Sequence, residues 1–125
     1  MTDTDGITIR SYRDLVGWRK AMSLVESIYR QSDLMPEHER FGLRLQMRRA
    51  AISIPSNNAE GHGRHATKDY VRFLRVARGS LFELETQVEL AKRLGYQGDW
   101  AGVSTDAAEV SRILAGLISA MNAKV

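Results

Sequence analysis

The side chains of this chain best suited to chemistry are its arginines. Nine basic residues, Arg40, Arg44, Arg48, Arg49, Arg64, Lys68, Arg72, Arg75 and Arg78, fall between positions 40 and 78, where only Glu60 and Asp69 oppose them. The stretches 1–39 and 79–125 each carry two more acidic than basic residues, so the net charge of +3 conceals a basic middle. A guanidinium fork can donate two parallel hydrogen bonds to a phosphate, and clustered cations gain further by releasing counterions condensed on a nucleic acid. Arg44, Arg48, Arg49, Arg64, Lys68, Arg72, Arg75 and Arg78 are therefore the candidate nucleic-acid-binding residues, for RNA or DNA. The competing reading is a structural surface, solvated or intersubunit, whose arginines pair with carboxylates of a neighbouring copy such as Glu83, Glu85 and Glu89.

Other chemistry finds little to start from. His38, His62 and His65 are the only histidines, they show no HExxH or other ligand spacing, and there is no cysteine to supply a thiolate. No metal or cofactor is expected. The run Gly61-His62-Gly63-Arg64 follows a helix pattern and lacks the strand-to-helix setting of a phosphate loop. No serine stands in a nucleophile elbow. No catalytic residue is assigned, and the expectation is a binding module and not an enzyme. Pro55, Asn57, Glu60 and Gly61 form a structural motif. Asn57 continues the apolar stripe Leu43, Met47, Ala50, Ile54, which predicts a buried amide satisfied by a neighbouring helix or by the backbone freed at Pro55.

The elements that position these residues are helices. With 125 residues the chain suits one domain, and its 43% hydrophobic and 26% charged composition is that of a folded protein. Residues 1–11 lack a period and are expected to be a mobile leader before a bundle domain over 12–125. Leu15, Trp18, Met22, Val25 and Tyr29 recur at steps of three and four and predict helix 1 over about 14–32. Helix 2 is predicted over about 37–60 with two apolar sides, one of Leu43, Met47, Ala50 and Ile54 and the other of Phe41, Leu45 and Ile52. A second subunit could cover the latter, or one broad core arc could absorb both. Pro55 is expected to kink this helix and Gly61 to cap it in the left-handed conformation. Helix 3, over about 67–94, has a seam of Tyr70, Ala77, Leu84 and Ala91 at seven-residue steps, with Val71 and Phe82 facing outward. Gly95 caps it. Helix 4 is expected over about 105–123, opened by Asp106 and Glu109 at capping-box spacing. Four amphipathic helices with short connections predict an all-α, antiparallel up-and-down four-helix bundle. Phe41, Leu45, Ile52, Val71 and Phe82 are the candidate oligomer-interface residues. No apolar run reaches the ~20 residues of a membrane span and no secretion signal is evident, so the protein is expected in the cytoplasm, with no membrane partner.

The segments Asp14–Ala21 (DLVGWRKA), Arg48–Gly61 (RRAAISIPSNNAEG) and Gly79–Gln87 (GSLFELETQ), with Leu94-Gly95-Tyr96, resemble the bacterial four-helix-bundle family of 23S rRNA intervening-sequence proteins. The resemblance spans about residues 12–121. It implies a ring-like homo-oligomer, with a homopentamer favoured, whose activity is largely unassigned. The accessory variability proteins of diversity-generating retroelements are similar. They are basic pentamers that bind nucleic acid and a reverse transcriptase, so a reverse transcriptase or other nucleic-acid enzyme joins the implied partners. The chain departs from the pattern at Asn58, where the family usually has an aliphatic residue.

Overall fold

The computed structural model describes residues 9–124; residues 1–8, which hold most of the expected leader, and Val125 lie outside the described residues. Four α-helices and no strand occur among the described residues: α1 Val16–Ser32, α2 Leu43–His62, α3 Thr67–Arg93 and α4 Trp100–Asn122. Each helix packs on its neighbours in sequence and α4 closes on α1, the order of an antiparallel up-and-down bundle. Short 3₁₀ turns at Tyr12–Asp14 and Glu37–Glu39 precede α1 and α2. The first is held by a capping box in which the Ser11 hydroxyl accepts from the Arg13 N–H, and the Asp14 carboxylate accepts from the backbone of Arg10 and Ser11. Those two backbone donors hold the Asp14 carboxyl below the usual range.

The core face of α1 is not the one its largest apolar residues suggest. Ala21, Leu24 and Ile28 are fully buried, whereas Met22 and Tyr29 are exposed and Trp18 and Val25 only half-buried. The two stripes share the same spacing and are offset by one residue, about 100°, so the small Ala21 lets α1 approach its neighbours while the bulkier set lies on the flank toward α2. In α2, Met47, Ala50 and Ile54 are buried as expected, and Leu43 packs against the core from a half-buried position. The helix begins at Leu43, not near 37, because the chain before it is taken up by the Glu37–Glu39 turn and an irregular segment through Gly42. Phe41 therefore lies off the helix. Pro55 is buried inside α2, which continues through it to His62.

Two expectations about helix ends are corrected. Gly61 is not a left-handed cap. It is buried within α2, where an added Cβ would lie 2.8 Å from Phe73 Cβ and 3.0 Å from Tyr70 Cδ1. Its role is close approach of α2 to α3, and the helix runs one residue further. Helix α4 starts at Trp100, capped by Asp99, whose carboxylate accepts from the Gly102 N–H at 3.0 Å. Trp100 is buried and its indole N–H donates to the Tyr96 carbonyl, so the helix opens on a core residue, five positions before the expected start near 105. Gly95 does cap α3, at φ 72°, with the Tyr96 N–H reaching back to the Ala91 carbonyl.

Val71 is buried beside Tyr70 and Leu74 and is not outward, since α3 packs on both α2 and α4 and its buried arc extends that far round. At the end of the bundle that carries the α1–α2 and α3–α4 connections, Tyr96 donates to Glu39 Oε2 at 2.6 Å. Glu39 also accepts from the Leu43 N–H. These bonds, the Tyr96 one first, hold its carboxyl below the usual range, and the same bond raises the Tyr96 phenol.

Replacing Gly61 by Ala should destabilise the protein by about 1–2 kcal/mol, because overpacking against Phe73 and Tyr70 outweighs the ~1 kcal/mol gained in helix propensity. Gly79, in α3 with nothing within 4 Å of an added Cβ, should gain up to about 1 kcal/mol from the same change. Urea midpoints of the two variants should move in opposite directions.

Because the Glu39 carboxyl is depressed in the folded state, its tie to Tyr96 stabilises fully above the ordinary value of 4.5 and is lost as pH falls through the folded-state value. Tyr96→Phe should lower Tm at neutral pH and reduce the fall in Tm on acidification below about pH 4.5. Parallel melting curves across that range read both effects.

Candidate nucleic-acid interface

The structure does not gather the basic residues on one surface. Arg44 is a structural residue: its side chain is only 14% exposed, and it donates to the Met35 carbonyl at 2.9 Å. Arg48 is similarly engaged. Its guanidinium donates to Ser32 Oγ at 2.9 Å, to Asp33 Oδ1 at 2.8 Å and to the Tyr29 carbonyl, and stacks over the Tyr29 ring. Both arginines clamp α2 to the C-terminal end of α1, where the last carbonyls of a helix attract cations. They are thereby removed from the candidate interface. Ser32, fully buried, is satisfied as acceptor by Arg48 and as donor to the Tyr29 carbonyl.

Arg64 and Arg72 meet at the α2–α3 turn. Their guanidinium carbons stand 4.8 Å and 4.7 Å from the centre of the Phe73 ring, and each has an acidic neighbour, Glu60 at 3.0 Å for Arg64 and Asp69 at 4.0 Å for Arg72. These pairs are exposed, so they neutralise little and hold the cations near the ring.

Arg49, Lys68, Arg75 and Arg78 make no ion pair among the described residues, and all but the half-buried Arg78 are exposed. Arg49 stands apart on the outer face of α2. The flank of α3 turned to α2 is marked by Ser80, whose hydroxyl bonds Ser53 of α2 at 2.8 Å. At about 100° per residue, Arg75 and Arg78 lie about 140° and 160° round from that flank, toward α4. They cannot share a surface with Arg48, which faces α1. What remains is a cationic strip on α3, Lys68, Arg72, Arg75 and Arg78, about 15 Å long at 1.5 Å per residue. Measured along a duplex axis, that length corresponds to four or five base-pair steps at about 3.4 Å each.

The polar motif around Pro55 also differs from expectation. Asn57 is half-buried, and its amide donates to the Ser53 carbonyl and hydroxyl at 2.8 and 2.9 Å, joining the Ser53–Ser80 bond between α2 and α3. The fully buried amide is its neighbour Asn58, which the turn of the helix carries to the centre of the core stripe. Neither Asn58 Nδ2 nor Oδ1 finds a partner among the described residues. Gly17 of α1 makes room for it: an added Cβ there would be 3.1 Å from Nδ2 and 3.2 Å from Ile113 Cγ2. Glu60 is exposed, and Tyr70, packed against Gly61 and His62, has its phenol pushed up to about 12 by burial. His38 sits beside Tyr96 at the opposite end, so the histidines do not converge, and no metal-holding group of His, Cys, Asp or Glu occurs among the described residues.

Between α1 and α2 lies an open groove of about 320 Å³ lined by Tyr12, Trp18, Met22, Val25, Ile52 and Pro55 with Ser56 and Ala59. Sequence reading missed it because the α1 residues were assigned to the core. Of the interface candidates, Ile52 lies in this groove, Leu45 is half-buried, and Phe41 and Phe82 are exposed.

Residues 13–116 match the model of the 23S rRNA-intervening sequence protein family, and so cover most of the chain. The chain belongs to that family. No curated protein matches it. A solved structure from Bacteroides thetaiotaomicron VPI-5482, described as a protein of unknown function from the S23 ribosomal protein family, superposes with a TM-score of 0.76 at 21% identity. The alignment covers 83% of this chain and 96% of that one, a likeness of fold. Within this chain, the Arg48–Gly61 segment holds structural features: Arg48 clamps α1, Asn57 holds Ser53, which in turn bonds Ser80 of α3, and Gly61 sets the α2–α3 distance. No helix among the described residues is long and apolar enough to cross a membrane.

Asn58→Leu keeps the branched shape and removes two unpaired buried polar atoms, and should raise stability by on the order of 1 kcal/mol. Asn57→Ala should lower it by about 1 kcal/mol through loss of the Ser53 bonds. Chemical denaturation of both variants checks the opposite signs.

Proposed function

We propose that this protein is a non-enzymatic, homo-oligomeric binding module that holds the phosphate backbone of RNA or DNA on the outward strip of α3. The observation that carries this reading is the presence of Lys68, Arg75 and Arg78 on one outer flank without acidic partners among the described residues. Cations kept outward and unneutralised cost self-repulsion and add little to a fold, and phosphates are the ligand that rewards them. The family resemblance favours five copies in a ring. Exposed apolar side chains on the groove and at Phe82 support self-association. Recognition through phosphates is largely indifferent to sequence.

The second reading, a scaffold that touches no nucleic acid, draws on Glu83 and Glu85, exposed carboxylates without an ion pair among the described residues. A neighbour's cations could pair with them.

The log of the affinity for a mixed-sequence oligonucleotide should fall linearly with the log of salt, at about −0.7 to −0.9 per neutralised phosphate. Replacing Arg72, Arg75 and Arg78 together by Gln should leave helix content and oligomer mass unchanged while lowering affinity and flattening the slope by about 2–3. Loss of assembly in that variant would favour the scaffold reading. Absence of binding by the native protein at about 50 mM salt, where phosphate contacts are strong, refutes the nucleic-acid reading.

A further inference from the structure

The two arginines that flank the α2–α3 turn differ from the rest of the basic set in what lies beneath them. Arg64, just beyond α2, and Arg72, in the second turn of α3, hold their guanidinium carbons 4.8 and 4.7 Å from the centre of one ring, Phe73. No other ring among the described residues is shared by two cations. Both side chains stay open to solvent, 45% exposed for Arg64 and 65% for Arg72, and the Glu60 and Asp69 tethers limit the positions each guanidinium can take.

The ring itself is fixed. Phe73 lies about 20° round α3 from Ser80, on the flank turned to α2. Its Cβ sits where Gly61 leaves no room for a methyl group. A rigid aromatic support under two planar cations is thus formed before any ligand arrives, and little side-chain freedom is left to lose on binding.

Phosphate alone does not call for this arrangement. It is held by charge and by the N–H fork, and an arginine standing free in solvent, as Arg75 does, supplies both. A flat π-system is different, because it stacks on the guanidinium plane, and an aromatic ring against the opposite face steadies that plane. The flat groups of a nucleic acid are its bases. In a duplex the faces of each base are covered by its neighbours, so only an unpaired base can reach the two arginines.

Arg72 joins this cluster to the cationic strip. Round the helix it lies about 100° from Phe73 on one side and about 40–60° from Lys68 and Arg75 on the other. A base stacked on Arg72 therefore carries its own phosphates toward Lys68 and Arg75.

Resting on the nucleic-acid reading above, we propose that the ligand is single-stranded: Arg64 and Arg72, backed by Phe73, hold an unpaired base while Lys68, Arg75 and Arg78 hold the backbone beside it. Stacking of this kind tolerates any sequence, since every base has a π-face.

Three probes separate base from backbone: a short mixed-sequence DNA strand, the same strand annealed to its complement, and an abasic strand of equal length. Charge alone favours the duplex, which releases more counterions per neutralised phosphate than a single strand does. The expected result is the reverse, with the native protein binding the base-bearing strand about 5- to 100-fold more tightly than either other probe, the contribution of one stacked base. Replacing Arg64 and Arg72 together by Lys keeps both charges and removes both planes. That variant should bring the base-bearing strand down to the affinity of the abasic one with the salt slope kept, and far-UV circular dichroism and urea melting confirm its fold. If the native protein holds all three probes alike or prefers the duplex, this inference is overturned while the phosphate reading stands. If the variant keeps the native preference for the base-bearing strand, Arg64 and Arg72 are not the stacking site and the assignment fails. If the variant loses affinity for all three probes alike, the two arginines act through the fold or through phosphate, and the inference is likewise overturned. Absence of binding to every probe at about 50 mM salt removes the nucleic-acid reading itself, and this inference with it.

Discussion

The close approach of α2 to α3 is the constraint from which most of the surface follows. At Gly61 the two backbones are near enough that a single methyl group would press on the Phe73 and Tyr70 side chains. Eight residues earlier, the Ser53 and Ser80 hydroxyls bond directly. Two fixed points along one antiparallel pair determine both register and rotation. Once Phe73 and Ser80 are turned to α2, helical geometry sends Arg75, Arg78 and Phe82 to the far flank of α3. The cationic strip and the exposed Phe82 are thus consequences of small residues at a helix contact, and neither requires a loop or a cofactor to place it.

A second set of polar contacts fixes the end of the bundle where α1 turns into α2. Arg44 and Arg48 satisfy the carbonyls of Met35 and Tyr29, and Glu39 joins this connection to Tyr96 at the far side of the α3–α4 connection. Buried or half-buried guanidinium groups are costly to leave unpaired, so these bonds specify how α1 must leave the core. The result divides the arginines by task. Those before residue 49 on α2 hold the fold together, while those after residue 67 on α3 have little to do within the chain. Composition records both groups as one basic stretch, although the contacts they make are opposite in kind.

Helix number, order and approximate length were legible because the 3.6-residue period persists through each segment and glycines mark the breaks. The face of α1 was not, because Trp18, Met22, Val25 and Tyr29 repeat at the same interval as Ala21, Leu24 and Ile28, and size argued for the wrong set. A bundle packed closely prefers the smaller stripe inside, which periodicity alone does not report. Asn58 was passed over for Asn57 for a related reason. One residue is 100° of rotation: Asn57, three residues after Ile54, was read as the next member of the stripe, whereas Asn58, four after Ile54, is the one the helix carries into the core. The start of α4 was hidden by Gly98 and Gly102, which punctuate Trp100 on both sides, although Asp99 three residues before Gly102 carries the cap signature. The separation of Arg48 from Arg75 was beyond sequence reading, since distance from a turn gives height along a hairpin and says nothing about which flank a side chain takes.

The charges of helix α3 are spread unevenly along it, with Lys68, Arg72, Arg75 and Arg78 against Asp69 in its first half, and Glu83, Glu85 and Glu89 against Lys92 and Arg93 in its second. On the proposed reading the basic half faces phosphate, and phosphate binding and self-association are linked. Each copy brings a net charge of +3, so assembly of several copies accumulates positive charge that opposes further growth. Phosphates bound along the basic halves neutralise that charge, and linkage then requires nucleic acid to favour the assembled form and assembly to strengthen nucleic-acid binding by the same factor. Such coupling needs no conformational change in the bundle. Its magnitude is set by salt, since the repulsion between copies and the attraction to phosphate are both weakened by the same screening, which acts over about 8–10 Å at physiological ionic strength.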